Sequence, residues 1–158
     1  FADGEAAYKA RNYAEAVRIF ARYADEHPKN AWGHFMLGLS AWKSGDPEGA
    51  EEAFGETLAI DPKHVKSLVN LSRVLLDQHR ADEALDSLTK AAEIDPESKD
   101  VPRLLGRTYA ATISREPFTP SSVNRKEIFR RWAARISSLV PSSQSARLKG
   151  PIAFLRVV

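Results

Sequence analysis

The feature that most constrains the fold is a constant spacing between matching positions along the chain. The step from Pro28 to Pro62 equals the step from Pro62 to Pro96, and apolar or small residues recur with the same step. Such a period is typical of repeat proteins, because one short unit cannot bury its apolar face alone and has to stack on its neighbours. The other recurring sets are Ala16, Ala50 and Ala84; Phe20, Phe54 and Leu88; Leu37, Leu71 and Leu105; and Gly4, Gly38, Ser72 and Gly106.

Each period has the pattern of two helices with a short break between them. In 31–64, apolar residues recur at helical spacing through AWGHFMLGLSAWK, stop at SGD and resume in PEGAEEAFGETLAI, where Pro47 suits a first turn. Asp61 and Pro62 should end the second helix, because proline cannot continue one. Small residues would let the paired helices approach closely, and bulky ones would fill the space between successive pairs. The small residues are Gly38, Ser72, Gly106, Ala50 and Ala84, and the bulky ones are Phe20, Phe54 and Leu88.

This pattern resembles the tetratricopeptide repeat family, whose unit of about 34 residues has the length of the period in this chain. The resemblance is also carried by the Leu37-Gly38 and Leu105-Gly106 pairs, the central alanines, the aromatic residue or leucine four positions later and the closing Asp-Pro. It implies an all-α, right-handed superhelical solenoid of about three to three and a half helix-turn-helix repeats followed by an amphipathic helix. The predicted array covers 1–111, with a partial repeat at about 1–30, repeats at 31–64 and 65–98, and a partial repeat at 99–111.

The repeat pattern ends after about Ala111, and the charge changes with it. Residues 1–98 hold 11 Lys and Arg against 18 Asp and Glu, whereas residues 99–158 hold 12 against 3. The sequence predicts a linker at 112–123, a basic amphipathic helix at 124–140 and a loose tail at 141–158. The helix could close the array, bind a membrane surface or a partner, or contact nucleic acid. Abrupt loss of the pattern is also typical of an out-of-frame continuation.

No constellation of side chains points to catalysis or to a bound metal. The four histidines lack metal-ligand spacing, there is no cysteine, and GLSAWKSGD does not have the order of a phosphate-binding loop. We therefore expect a protein that is not an enzyme and holds no cofactor. The missing cysteines and the lack of a long apolar run favour a cytoplasmic location. The chain begins with Phe1, which leaves an N-terminal targeting signal open.

The resemblance also implies where a partner would bind. In the family, the first helices of successive repeats line a concave groove that takes an extended peptide or a partner helix. Carried over to the matching positions, this groove would be apolar at one end and basic along Lys66, Arg73, Arg103 and Arg107. The predicted groove residues are Trp32, Phe35, Met36, Leu39, Trp42, Lys66, Asn70, Arg73, Arg103 and Arg107.

Two interpretations of the apolar end stay open. Trp32, Phe35, Met36 and Trp42 can be ordinary core, or they can form an exposed anchor for a ligand side chain. The basic residues would face solvent and could pair with acidic groups or a C-terminal carboxylate. Asn70 could hydrogen-bond a peptide backbone, since its amide both donates and accepts. The fixed Lys, Asn and Arg set with which some members hold acidic chaperone tails is not matched.

The sequence thus predicts a non-catalytic interaction scaffold that binds a protein or peptide, with acidic groups as one option, and no small-molecule substrate. An alternative is the substrate- or partner-selecting repeat segment of a larger enzyme, such as a glycosyltransferase. A third places function on the basic helix at 124–140, which would bind an anionic membrane or nucleic acid.

Overall fold

The computed structural model describes residues 1–115, which form seven α-helices and no strand. The first helix is shorter than the next five, as expected of a partial repeat, and α7 opens a further unit. The all-α repeat solenoid is therefore confirmed. The helices are α1 (Ala2–Lys9), α2 (Tyr13–Glu26), α3 (Ala31–Ser44), α4 (Pro47–Ile60), α5 (Val65–Asp77), α6 (Ala81–Ile94) and α7 (Asp100–Arg115).

Each helix packs against the next one along the chain, and α5 also contacts both α3 and α7. The first helices of three successive repeats, α3, α5 and α7, are therefore neighbours. One core cluster joins α2 to α5 through residues such as Phe20 and Phe54, and a second joins α5 to α7 through Leu88 and Leu104. The fold thus brings the predicted groove positions, which are a full repeat apart in sequence, onto adjacent helices.

The same local devices begin and end the helices of successive repeats. Asn12, Asn30 and Asp46 begin α2, α3 and α4, and their side chains accept backbone N–H groups of the first turn. These N–H groups have no partner within the helix, so each cap stabilises a helix start. At the joints between repeats, the carboxylates of Asp61 and Asp95 accept the backbone N–H two residues on, at 3.1 and 3.2 Å. The closing Asp-Pro thus forms the turn that redirects the chain.

Glycine allows close helix contact in the first two helix pairs. A Cβ at Gly38 would lie 2.7 Å from Cε1 of Phe54, and one at Gly4 would lie 2.9 Å from the ring of Phe20. Both rings are fully buried. Gly106 differs from this expectation, because it is exposed and no atom among the described residues lies within 4 Å of a Cβ built there.

Helix α7 runs to Arg115, so the predicted array boundary at 111 lies inside this helix. The first four residues of the predicted linker, 112–123, are helical, because no proline or glycine stands between Gly106 and Pro117. The rest of that linker, the basic helix predicted at 124–140 and the tail predicted at 141–158 lie outside the described residues. Within residues 1–115, every helix is too short or too polar to cross a membrane.

Candidate functional site

The predicted groove residues lie on α3, α5 and α7, and we call the surface that these helices share the first-helix surface. Its end on α3 is aromatic. Trp32 is 41% exposed, with its ring centroid 5.1 Å from that of Phe35 and 6.4 Å from that of His64. The ammonium of Lys66 lies 5.7 Å from the Trp32 ring centroid, within reach of a cation–π attraction. Trp32 therefore presents an uncovered aromatic face next to a positive charge.

Phe35 and Met36 belong to the core, although they lie on the same helix as the exposed Trp32. Phe35 is 3% exposed and Met36 is 7% exposed. The Phe35 ring lies 5.9 Å from that of Phe54 and 4.9 Å from that of His64. Their surfaces are already covered, and Phe35 packs directly against the Trp32 ring. Phe35 and Met36 are thus core residues, whereas Trp32 is exposed.

Further along α3, Leu39 and Trp42 are half-buried and pack against the core together with Tyr8. The Trp42 indole N–H donates to the Asp77 carboxylate of α5 at 3.1 Å, and Lys43 lies 4.7 Å from the Trp42 ring centroid. Burial raises the pKa of the Tyr8 hydroxyl above its ordinary value. Tyr8 was not predicted as a site residue, but the repeat spacing could have identified it, since it stands one full repeat before Trp42.

The end of the surface on α5 and α7 is ionic. The Asn70 amide donates to the backbone carbonyl of Lys66, and Arg73 Nη1 donates to the Asn70 carbonyl oxygen, both at 2.9 Å. The other terminal nitrogen of Arg73 lies 3.6 Å from Asp100 Oδ1, and Arg103 Nη2 lies at the same distance from that oxygen. Asn70 is 8% exposed, so its amide orients Arg73. A continuous set of polar contacts thus runs from α5 to α7.

Three of the predicted basic residues, Lys66, Arg103 and Arg107, are exposed, and Arg73 is half-buried. Lys66 lies beside the aromatic end, whereas Arg73 and Arg103 share Asp100. Lys66 thus lies at the aromatic end of the first-helix surface, and Arg73 and Arg103 lie at its ionic end.

His64 connects this surface to the start of α5. Its Nδ1 accepts the Ser67 backbone N–H at 3.2 Å and lies 2.8 Å from the Ser67 hydroxyl. A backbone N–H can only donate, so Nδ1 carries no proton. Burial lowers the pKa of His64 below its usual value; Lys66 lowers this pKa further, and Asp61 opposes the shift. His64 is therefore a helix cap, and within residues 1–115 no group of three His, Asp or Glu side chains is placed to hold a metal ion.

The first-helix surface offers contacts suited to recognition. It combines an exposed indole face, the ammonium of Lys66 and two guanidinium groups that point toward one shared carboxylate. Beside Trp32, residues His27 to Trp32 line an open depression of about 670 Å³. Aromatic anchors and arginines are the residue types that contribute most to binding at protein interfaces.

Two family models, each described as tetratricopeptide repeat, match residues 4–30 and 35–99. The chain belongs to the tetratricopeptide repeat family. Tetratricopeptide folds are generally non-catalytic interaction modules. No curated protein matches the chain significantly.

Solved structures share the fold at low sequence identity. The TPR domain of Sgt2 from Aspergillus fumigatus has a TM-score of 0.67 at 22% identity, with 78% of this chain and 85% of that chain covered. The first TPR of Spaghetti (RPAP3), bound to the HSP90 peptide SRMEEVD, has a TM-score of 0.68 at 16% identity, and the match covers 70% of this chain and 88% of that chain. The type III secretion translocator chaperone SycD of Yersinia enterocolitica has a TM-score of 0.66 at 19% identity, and the match covers 73% of this chain and 83% of that chain.

Proposed function

We propose that this tetratricopeptide repeat protein is a non-catalytic interaction module that binds an extended segment of a partner protein along its first-helix surface. The observation that carries the proposal is the exposed ring of Trp32. Tryptophan is enriched at binding hot spots, and Trp32 offers its exposed ring beside the ammonium of Lys66. Trp32 stands at one end of a surface formed by the first helices of three successive repeats.

Rigid support strengthens the case for recognition by this surface. Phe35 and His64 pack against Trp32, and Asn70 holds the guanidinium of Arg73. Side chains that are already ordered lose little freedom when a ligand binds, so more of the contact energy appears as affinity. A partner segment would place an apolar side chain on Trp32 and polar groups near Arg73.

Related folds support a peptide as the partner. The Spaghetti (RPAP3) structure contains the peptide SRMEEVD, and the second TPR domain of human RPAP3 has been solved with the HSP70 peptide SGPTIEEVD. Both peptides carry acidic residues near the C-terminus, so a segment with carboxylates is one candidate partner of this chain. The repeats themselves are assigned no catalytic role.

A selection from a random dodecapeptide library, displayed against the whole chain, tests the proposal. We expect Trp32→Ala to weaken binding of the selected peptides by about tenfold or more, as at other aromatic hot spots. Trp32→Phe should recover part of the affinity, because it restores an aromatic face. Affinities would be measured by fluorescence polarisation, and melting temperatures would show that each variant is folded.

Ile94→Ala is the matched control. Ile94 is a second exposed large apolar residue, 38% exposed at the end of α6 and away from the first-helix surface. Its truncation should leave affinity unchanged. The proposal fails if no peptide is selected, or if the Trp32 and Ile94 variants bind equally well.

A further inference from the structure

The ionic end of the first-helix surface contains its own carboxylate. Asp100 Oδ1 lies 3.6 Å from a terminal nitrogen of both Arg73 and Arg103, one on the preceding first helix and one on its own helix. Two guanidinium groups that converge on one oxygen create a site for a carboxylate, since arginine binds such groups in a directional way. In the structure, that carboxylate is supplied from within the chain.

We infer that Asp100 sets the charge selectivity of the first-helix surface, because a carboxylate from a partner has to displace it from Arg73 and Arg103. This inference rests on the proposed function. It identifies Asp100 as a specificity-determining residue that weakens the binding of acidic segments relative to neutral ones. Neutral segments bind without breaking the contact.

The geometry of the Asp100 carboxylate would allow a partner's carboxylate to displace it from Arg73 and Arg103. The Asp100 side chain is 57% exposed, and both of its ion pairs are longer than direct hydrogen bonds. Exposed ion pairs contribute little to stability, so the fold does not depend on this contact. The Arg73 side chain is only 25% exposed and is held by Asn70 at 2.9 Å. When Asp100 moves away, Arg73 therefore keeps its position and can bind another carboxylate.

The repeat register also marks Asp100 as unusual. It stands one repeat after Lys66 and two repeats after Trp32, so the three occupy the same position in successive repeats. Where the earlier repeats present an aromatic ring and a cation, the last one presents an anion. Asp100 thus places its negative charge between two arginines that would otherwise attract acidic groups together.

Asp86 provides a control that removes the same charge from outside the first-helix surface. It is exposed on α6, a second helix. Asp86→Asn and Asp100→Asn therefore change the net charge equally, and only Asp100→Asn removes the carboxylate that Arg73 and Arg103 share.

The test compares two fluorescein-labelled peptides on the whole chain. One is SRMEEVD, and the other replaces its three acidic residues with Gln, Gln and Asn and has an amidated C-terminus. We expect Asp100→Asn to raise affinity for the acidic peptide by about fivefold or more, the effect of one released charge-assisted pair. Affinity for the neutral peptide should change by less than about twofold, and so should the affinity of Asp86→Asn for both peptides. Adding Arg73→Gln to Asp100→Asn should abolish the gain.

Three results would overturn the inference. Equal gains in affinity from Asp100→Asn and Asp86→Asn would mean that only net charge matters. A gain that survives Arg73→Gln would mean that the arginine pair is not the site. If the Asp100→Asn variant does not bind SRMEEVD, Asp100 is not the residue that limits affinity for acidic segments. In each case, peptides selected from the library still test the proposed function separately.

Discussion

Gly38 has no side chain because the ring of Phe54 occupies the space that a Cβ would need. The distance of 2.7 Å from this Cβ position to Cε1 is shorter than real carbon contacts allow, and the ring is fully buried. We expect Gly38→Ala to lower the free energy of unfolding by about 1–3 kcal/mol, the usual cost of overpacking a core. Urea denaturation followed by circular dichroism measures this change.

Gly55→Ala is the matched control for that prediction. Gly55 lies in α4, is exposed and has no described atom within 4 Å of its Cβ position. Alanine there should raise the free energy of unfolding by up to about 1 kcal/mol, because it is the better helix former. Similar effects at Gly38 and Gly55 would show that α3 and α4 are not in close contact.

The repeat position selects candidate site residues but does not determine their exposure. Trp32 and Phe35 are both predicted groove residues on one helix, yet one is exposed and the other is buried. Phe35 is covered by Phe54 and His64, which come from α4 and from the cap of α5. The Arg73–Asp100 pair likewise joins residues far apart in sequence. Such contacts depend on side-chain positions in the packed array, which a single sequence does not contain.

At the scale of helices, the sequence predicts most starts and stops, because caps and joints recur once in every repeat. The starts of α5 and α6 depart from the pattern. Arg80 precedes α6 without capping it, and its guanidinium instead pairs with Glu83 on that helix and Glu51 on α4. His64 caps α5 at the position where Asn30 caps α3. A histidine cap differs from the others because protonation removes its acceptor.

Lowering the pH should therefore destabilise the start of α5, because it protonates His64. The lowered pKa of folded His64 means that the unfolded chain binds the proton more readily, near its ordinary value of about 6.5. The stability that His64 contributes is then complete above about pH 6.5 and is lost as the pH falls through the folded pKa. The free energy of unfolding should fall by about 1 kcal/mol, the usual contribution of a helix cap.

Urea unfolding between pH 7.5 and 5.5 measures this loss, and His64→Asn is the matched variant. Asparagine accepts the same N–H without titrating, so the variant should keep its stability over this range. The carboxylates of Glu15 and Glu83 have lowered pKa values and titrate below the range. A variant with the same pH dependence as the native chain would contradict the role of His64.

At the scale of the whole molecule, the fixed period predicts a stack of helix pairs, and the structure contains it. The prediction weakens after about Ala111, where the recurring residues stop, and α7 continues past that point. The two core clusters show how the stack is held together. Phe20 and Phe54 belong to the first, Leu88 belongs to the second, and α5 contributes Val74 to one and Leu68 to the other. The clusters are thus coupled through α5.

Such a linear arrangement should lose stability locally when one cluster is damaged. Leu88→Ala removes a fully buried side chain from the second cluster. We expect a local cost of about 2–5 kcal/mol. Hydrogen exchange followed by mass spectrometry should then show protection factors in α6 falling by about 30-fold or more, and those in α2 by less than about threefold.

Phe20→Ala is the corresponding experiment on the first cluster, because Phe20 occupies the matching repeat position there. It should lower the hydrogen-exchange protection factors in α2 and change those in α6 little. If either variant lowers protection equally in both helices, residues 1–115 unfold as one cooperative unit. If the two losses stay separate, the first-helix surface spans two regions of independent stability, and binding a partner across α3 and α7 would stabilise both.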